Sequence, residues 1–255
     1  GSSLDFWRRE KLPEVLSNDV CSLNPHEDKL TFSAWFVMND KGEVLERHFG
    51  KTIINSDHRF TYEDAQEVLN VKSGKYFHEL NKLNEIAKVL QKQKFDNGAI
   101  EFEQEEIKFK LDENGKPIGV YKKARLDTHK LVEEYMLLAN REVAKFIFDA
   151  IKEKGKRDTG SIYRIHDIPD QERMADLAVF VKALGYDLKN KDGKVTAKDI
   201  KSLLKQIQGT QHEALISTAL IRSMQKAVYS TKNIGHFGLA FDFYTHFTSP
   251  IRRYP

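Results

Sequence analysis

The chain has 255 residues and a formal net charge of only +3 at pH 7, with 40% hydrophobic and 31% charged residues. This composition predicts a soluble globular protein, and the length is sufficient for one substantial core. No apolar run approaches the roughly 18 to 20 residues of a membrane span, so we expect no membrane partner. Because the charges nearly balance, a nucleic-acid site would have to be a local basic patch.

The sequence contains one cysteine, Cys21. A single cysteine excludes an internal disulfide framework and a cysteine-rich zinc site, and it favours a reducing, cytoplasmic location. A buried structural role for Cys21 is favoured over a catalytic thiol. The first three residues, GSS, resemble an expression-vector remnant, and no signal-peptide pattern follows them.

Hydrophobic periodicity and turn residues predict strands and helices in alternation. In chain order the predicted elements are strands at residues 30–39 and 44–55, a helix opening at 61–65, a helix at about 75–94, strands at 99–102, 107–111 and 118–121, a long helix at about 128–154, and helices at 170–184, 196–208 and 210–229. Thr61 is a predicted N-cap, since Asp64 three residues later makes a weak capping box. No internal repeat or low-complexity linker is visible, so we predict one α+β domain.

The long predicted helix has an apolar stripe at helical spacing, which is typical of a face that packs against the core. The stripe consists of Val132, Met136, Ala139, Val143, Ile147 and Ala150. We therefore expect this helix to lie at the centre of the domain.

The most informative segment is residues 235–255, GHFGLAFDFYTHFTSPIRRYP. Ser249 is a preferred N-cap, and Pro250 suits the first position of a new helix. Arg252 and Arg253 would then occupy the first turn, where the helix dipole disfavours cations unless an anion binds there. Arginine geometry suits bidentate contact with phosphate. The alternative is that one arginine pairs with a carboxylate of the chain.

The same segment is rich in rings. His236 and His246 do not have the spacing of a metal site, and isolated histidines are more often structural or in contact with phosphate. The aromatic residues are expected to be mostly core, although one or two could stack on the bases of a single strand. They are Phe237, Phe241, Phe243, Tyr244 and Phe247.

HFGLA at 236–240 and YTHFTSPIRRYP at 244–255 resemble the signature of the RNase II / RNase R exoribonucleases, which share the RNB catalytic domain. Further segments resemble the same family: LPEVLSNDVCSL at 12–23, LVEEYMLLAN at 131–140, YRIH at 163–166 and LIRSMQKAVY at 220–229. The likeness covers nearly the whole chain from Leu12 onward and is nearest to bacterial RNase R.

The resemblance implies an RNB fold, a mixed sheet packed with several long helices. It implies processive 3′→5′ hydrolysis of single-stranded RNA to nucleoside 5′-monophosphates with Mg²⁺ as cofactor. By the same resemblance, Arg252 grips the scissile phosphate, and Glu133, or else its neighbour Glu134, contacts the terminal nucleotide. Phe102 matches the residue that stacks on the 3′-terminal base. Without the resemblance, both glutamates would be interpreted as solvated carboxylates and Phe102 as a strand core residue.

The matched segments supply further candidate RNA-binding residues. They are Arg164, His166, His236, Tyr244, Ser249 and Arg253.

The sequence departs from the family pattern at the metal site. The family binds its metal through aspartates spaced DxxxxxDxDD upstream of the LPxxLSN segment, and no such run occurs in this chain. The tyrosine that partners the stacking phenylalanine and the flanking OB-fold modules are also missing. We therefore expect an unmatched segment at 1–11, a partial RNB domain at 12–255 truncated at both ends, no metal ligands, and little or no activity. The alternative is a non-catalytic RNA-binding or regulatory homologue.

Overall fold

The computed structural model describes residues 19–100, 106–112, 115–123, 125–153, 161–189, 195–250 and 253. Within these residues, six strands and six α-helices follow one another. They are β1 (Asp28–Met38), β2 (Val44–Asn55), α1 (Tyr62–Val71), α2 (Phe77–Asp96), β3 (Glu106–Leu111), β4 (Pro117–Lys123), α3 (Asp127–Glu153), β5 (Tyr163–Ile165), α4 (Gln171–Ala183), α5 (Ala197–Ile207), α6 (Glu213–Ser223) and β6 (Val228–Ser230).

Local capping signals determine where several helices begin. The Thr61 hydroxyl accepts the Asp64 N–H at 3.0 Å, as the sequence predicts. Thr196 and Asp199 form a complete capping box at the start of α5. These contacts satisfy backbone donors that have no partner within the helix.

The predicted helix at 210–229 is wrong in its second half. Helix α6 ends at Ser223, and the chain then forms β6, which pairs antiparallel with β5. Val228 and Tyr229 are β-branched and aromatic, and pairing with a distant strand overrides the helical pattern. The predicted strand at 99–102 is also absent at Ala99 and Ile100, which lie buried in an irregular segment.

The predicted α+β class is confirmed, but the described strands pair antiparallel rather than in a mixed sheet. The described strands form three separate antiparallel pairs, β1 with β2, β3 with β4, and β5 with β6. The first two pairs are hairpins closed by short turns that contain Gly42 and Gly115. No wider sheet forms among the described residues.

Helix α3 lies at the centre of the packing. It contacts α1 and α2 on one side, and Leu138 packs with Ile86 and Leu90 of α2. Its predicted stripe is buried at Ala139 and Val143, but Val132 is 37% exposed. Further along α3, Ala144 packs with β5. A second core joins α4, α5 and α6, and its fully buried members are Met174, Val181, Ile200, Leu203, Ile207, Ile216 and Leu220.

Cys21 is exposed, so the prediction that it is buried is wrong. It lies in the turn that precedes β1, away from either core. Among the described residues, no helix is both long enough and apolar enough to cross a membrane.

Candidate functional site

The 235–250 segment is held against β5 by backbone hydrogen bonds. The Arg164 N–H donates to the Tyr244 carbonyl at 2.9 Å, and the His166 N–H donates to the Gly235 carbonyl at 3.1 Å. The Ile100 N–H donates to the Gly238 carbonyl at 2.9 Å. The segment therefore lies between Ile100, which follows α2, and the β5–β6 pair.

Tyr244 is the centre of a group of rings. It is 7% exposed, and the rings of His236 and His246 lie edge-on to it with centroids at 5.3 and 5.6 Å. The Tyr229 hydroxyl is 2.6 Å from His246 Nδ1, and the Arg164 guanidinium lies over the Tyr229 ring at 4.6 Å. We call Tyr244, His236, His246, Tyr229 and Arg164 the Tyr244 cluster.

The histidines of the Tyr244 cluster are neutral at pH 7. Burial lowers the pKa of His236 to about 4, with the nearby His166 as the next cause. Burial also lowers the pKa of His246 to about 4, and the charges of Arg253 and Arg164 act in the same direction. Positive charge in this region is therefore supplied by arginine, while the rings contribute uncharged surfaces and hydrogen-bonding groups.

Burial raises the pKa of Tyr244, and its hydroxyl stays protonated at neutral pH. Asn140, Arg253 and Arg164 oppose this shift, whereas the carboxylate of Glu133 adds to it. Glu133 and Arg253 are therefore both close enough to act on the Tyr244 hydroxyl electrostatically.

Asn140 was not among the candidates from the sequence, yet it connects α3 to the 235–250 segment. It is 3% exposed. Its Oδ1 accepts the N–H groups of Phe247 and Thr248, both at 2.9 Å, and the Thr248 hydroxyl at 3.2 Å. Its Nδ2 donates to the Tyr244 hydroxyl at 3.4 Å. The available signal was an amide within a predicted buried helix, since such a group must find partners.

The side chains of Glu133 and Glu134 have different environments in the structure. Glu134 is 4% exposed and forms an ion pair with the buried Lys94 of α2. Glu133 pairs with Arg125, and its side chain is 42% exposed. Successive helical residues point about 100° apart, so Glu134 faces α2 while Glu133 lies on the side of the Tyr244 cluster.

His166 is used within the chain. Its Nε2 is 2.9 Å from the Gln225 carbonyl, and its Nδ1 accepts the Gly238 N–H at 3.1 Å. A Cβ added at Gly238 would lie 2.9 Å from that nitrogen, so a glycine is required there. Both ring nitrogens therefore have partners within the chain, and these contacts hold the segment against β5 and the end of α6.

Ser249 does not have the geometry of the predicted N-cap. Its φ is +56°, which is left-handed, whereas an N-cap residue is extended. A turn does follow, because the Arg253 N–H donates to the Pro250 carbonyl at 3.1 Å. Arg253 thus ends a tight turn that begins at Pro250, although that turn is not capped in the expected way.

Comparison with known proteins identifies the fold. The model of the RNB domain matches residues 11–255. The chain belongs to the RNB-domain family. Among its relatives are ribonuclease R of Vibrio parahaemolyticus, 38% identical over 250 residues, and ribonuclease R of Escherichia coli, 36% identical over 250 residues. Each alignment covers 96% of this chain but only 29% and 30% of the relative, so this chain spans about a third of their length.

Solved RNB-domain structures agree with this assignment. Mycoplasma genitalium RNase R in complex with ribose-methylated single-stranded RNA superposes with a TM-score of 0.84 at 27% identity, covering 95% of this chain and 38% of that chain. Yeast Ssd1, a pseudonuclease, superposes with a TM-score of 0.69 at 19% identity over 95% of this chain and 29% of that chain, which shows the shared fold alone.

Two residues that the RNB resemblance singles out, Arg252 and Phe102, lie outside the described residues. Some residues close to them in sequence are described. Arg253 is exposed next to the turn at Pro250, and Ile100 is hydrogen-bonded to the 235–250 segment. The roles assigned to Arg252 and Phe102 remain predictions.

Within the described part of the RNB domain, no group of three or more His, Cys, Asp or Glu side chains could hold a metal ion. The donor set that Mg²⁺ prefers, several carboxylate oxygens around one point, is therefore not offered by these residues. No chemical step is assigned to a metal on this part of the chain.

Proposed function

We propose that this chain is the RNA-gripping part of the catalytic domain of a Mg²⁺-dependent 3′→5′ exoribonuclease, which hydrolyses single-stranded RNA to nucleoside 5′-monophosphates in the cytoplasm. The observation that carries the proposal is the Tyr244 cluster. There, Arg164 and Arg253 act on the same buried tyrosine as the carboxylate of Glu133. Similarity to RNase R solved with single-stranded RNA supports the choice of ligand.

The Tyr244 cluster and the nearby Arg253 together have the groups that can bind a single-stranded polyanion. Guanidinium groups of Arg164 and Arg253 suit the phosphates, and the neutral rings of His236 and Tyr229 can contact sugar or base. Since the histidines are uncharged at pH 7, affinity comes from a few arginines rather than from a broad basic surface. This accounts for a nucleic-acid ligand on a chain of net charge +3.

Glu133 favours one end of the RNA strand, the 3′ end, at this site. A carboxylate accepts hydrogen bonds from hydroxyl groups and repels phosphate. Placed near the Tyr244 hydroxyl, it suits the ribose hydroxyls at a 3′ end better than the middle of a strand. Arg252, following the Thr-Ser-Pro-Ile sequence, is assigned to the scissile phosphate.

The test is binding of a 5′-labelled 12-nucleotide single-stranded RNA, followed by fluorescence anisotropy across a salt series. Arg253→Ala should weaken binding about tenfold and reduce the slope of log K against log salt by about one. Arg173→Ala is the matched control, because Arg173 is an exposed arginine on α4 and should leave both quantities unchanged. Binding by the wild-type chain that does not depend on salt would contradict the proposal.

Hydrolysis is measured on the same RNA as released mononucleotide, with and without Mg²⁺. We expect little or no turnover from the chain alone, because the aspartate run of the family is missing from its sequence. Chelator-sensitive release at enzyme-like rates would show that this expectation is wrong.

A second candidate function, a non-catalytic RNA-binding or regulatory homologue, is favoured by the fold shared with yeast Ssd1, a pseudonuclease. It predicts the same RNA affinity. The two candidates differ in the whole open reading frame: an upstream DxxxxxDxDD run supports the enzyme, and a frame without it supports the binding protein.

A further inference from the structure

Asn140 is a buried amide in the middle of α3 with an unusual set of partners. All the partners described for it belong to the 235–250 segment, more than 100 residues later in the chain. It is 3% exposed, so water cannot replace these partners without local opening.

Helix geometry places Asn140 on the same face as Glu133. Seven residues separate them, which corresponds to about 20° around the helix axis and roughly 10 Å along it. Glu134 is turned about 100° away toward α2, where it pairs with Lys94. One face of α3 thus carries both the carboxylate of the proposed RNA site and the residue that holds the segment leading to Arg253.

The orientation of the Asn140 amide follows from its neighbours. Backbone N–H groups can only donate, so the oxygen must face Phe247 and Thr248. The NH₂ group is then left to face Tyr244, whose hydroxyl accepts from it. A side chain with one acceptor and one donor at this separation fits the two requirements, whereas an apolar residue would leave two partly buried N–H groups without this acceptor.

The held segment also contacts elements other than α3 near this point: His246 Nδ1 is 2.6 Å from the Tyr229 hydroxyl, and the Phe247 ring lies edge-on to Phe32 with centroids 6.1 Å apart. The Thr245 hydroxyl donates to the Ile162 carbonyl at 2.6 Å, and Ser249 is left-handed just before the turn at Pro250. Between these positions the described side-chain contacts to α3 come from Asn140. Among the described residues, the attachment of Phe247 and Thr248 to α3 therefore depends on this amide.

We propose that Asn140 is a positioning residue, which fixes Phe247 and Thr248 against α3 and so sets the distance between Arg253 and the Glu133 side of the site. This inference rests on the proposed function for its effect on RNA binding. The contact itself can be tested without RNA.

The experiment compares Asn140→Ala, Asn140→Asp and a control, Thr128→Val, in the whole 255-residue chain. Thr128 is a buried polar residue of the same helix, and its hydroxyl donates to the Tyr62 carbonyl rather than to the 235–250 segment. Three quantities are measured for each: the thermal midpoint, the exchange rates of the Phe247 and Thr248 amides by NMR, and the affinity and salt slope for the 12-nucleotide RNA.

Asn140→Ala should speed exchange of both amides about tenfold or more, weaken RNA binding about tenfold, and reduce the salt slope by about one as Arg253 disengages. Asn140→Asp keeps the acceptor oxygens, so both amides and RNA affinity should stay within about threefold of wild type. Thr128→Val should lower the thermal midpoint without changing the two amides or the salt slope. Asn140→Ser, whose hydroxyl is too short to reach, replaces the alanine variant if that one does not fold.

Three results would overturn the inference: wild-type exchange at both amides in Asn140→Ala, wild-type RNA affinity in that variant despite fast exchange, or equal losses of RNA affinity in Asn140→Ala and Thr128→Val. A wild-type chain that does not bind RNA overturns the proposed function instead. In that case the amide exchange still decides whether Asn140 holds the segment.

Discussion

Two neighbouring glutamates in the first third of α3 are held in opposite ways. Glu134 and its partner Lys94 are both buried, with side chains 4% and 7% exposed. Glu133 and its partner Arg125 have side chains 42% and 44% exposed. Breaking a buried pair costs about 3–5 kcal/mol, whereas an exposed pair contributes about 0–1 kcal/mol. Glu133 can therefore exchange its partner for a ligand, and Glu134 cannot do so without unfolding part of the packing.

The same contrast extends along the helix. On the α2 side, Glu142 accepts hydrogen bonds from Arg47 of β2 at 2.6 Å and from Arg141 at 3.1 Å. These contacts connect the β1–β2 hairpin to α3 through a carboxylate that is paired with two arginines. The side that faces the Tyr244 cluster has neutral histidines and arginines near an uncharged tyrosine. One side of α3 holds α2 and the first hairpin in place through ion pairs, which we call the scaffold side. The other side faces the Tyr244 cluster and is suited to bind RNA.

The largest effect should come from breaking the scaffold side. Lys94→Met removes the cation that pairs with the buried carboxylate of Glu134, so we expect the free energy of unfolding to fall by about 3–5 kcal/mol. Urea denaturation measures the change. RNA affinity of the folded fraction should stay near wild type, because the pair faces α2.

A double variant is the control for this prediction. Lys94→Met with Glu134→Leu removes both charges and should recover most of the lost stability, since apolar pairs can replace buried ion pairs. If Lys94→Met costs less than about 1 kcal/mol, the pair behaves like an exposed one and the contrast between the two glutamates fails.

Signals that act within a few residues were predictable from the sequence. The Thr61 cap needs only the backbone N–H of Asp64, and in the turn before β4 the Lys116 N–H donates to Asp112 Oδ1 at 2.8 Å. Each is a local competition between backbone conformations, which residue type decides directly.

Features that depend on distant partners were not predictable. Val228 to Ser230 continues a helical pattern but pairs with β5, far earlier in the chain. Glu133 and Glu134 look alike until Lys94 is placed beside one of them. Asn140 was missed because its partners Phe247 and Thr248 approach it only in the folded chain. The family resemblance indicated the right segments, but not which side chain in each faces the site.

The second largest effect on stability is expected from lowering the pH, which tests whether the two histidines of the Tyr244 cluster are held neutral. In the folded chain the pKa values of His236 and His246 are about 4, below the value of about 6.5 in unfolded chains. The unfolded state therefore takes up more protons between pH 6.5 and 4, so stability is complete above pH 6.5 and falls on acidification until about pH 4. With a discount for partial exposure, we expect a loss on the order of 1–2 kcal/mol between pH 7 and pH 5.

Urea denaturation at several pH values measures this slope. His236→Gln should flatten it, and His48→Gln, at an exposed position on β2, should not. Stability that stays constant from pH 7 to pH 5 in the wild-type chain would show that these histidines are not held neutral by burial.

The smallest effect on stability and the sharpest effect on recognition are expected from Glu133→Gln. Because its ion pair with Arg125 is exposed, the free energy of unfolding should change by less than about 1 kcal/mol. If the Glu133 carboxylate faces a 3′ end, the wild-type chain should prefer RNA with a 3′ hydroxyl over RNA with a 3′ phosphate. The carboxylate accepts a hydrogen bond from the hydroxyl and repels the phosphate. Anisotropy with the two RNAs should show that this preference falls about three- to tenfold in Glu133→Gln. Glu153→Gln, an exposed glutamate in the last turn of the same helix, should keep the preference, and a preference that is unchanged in Glu133→Gln would place the 3′ end elsewhere.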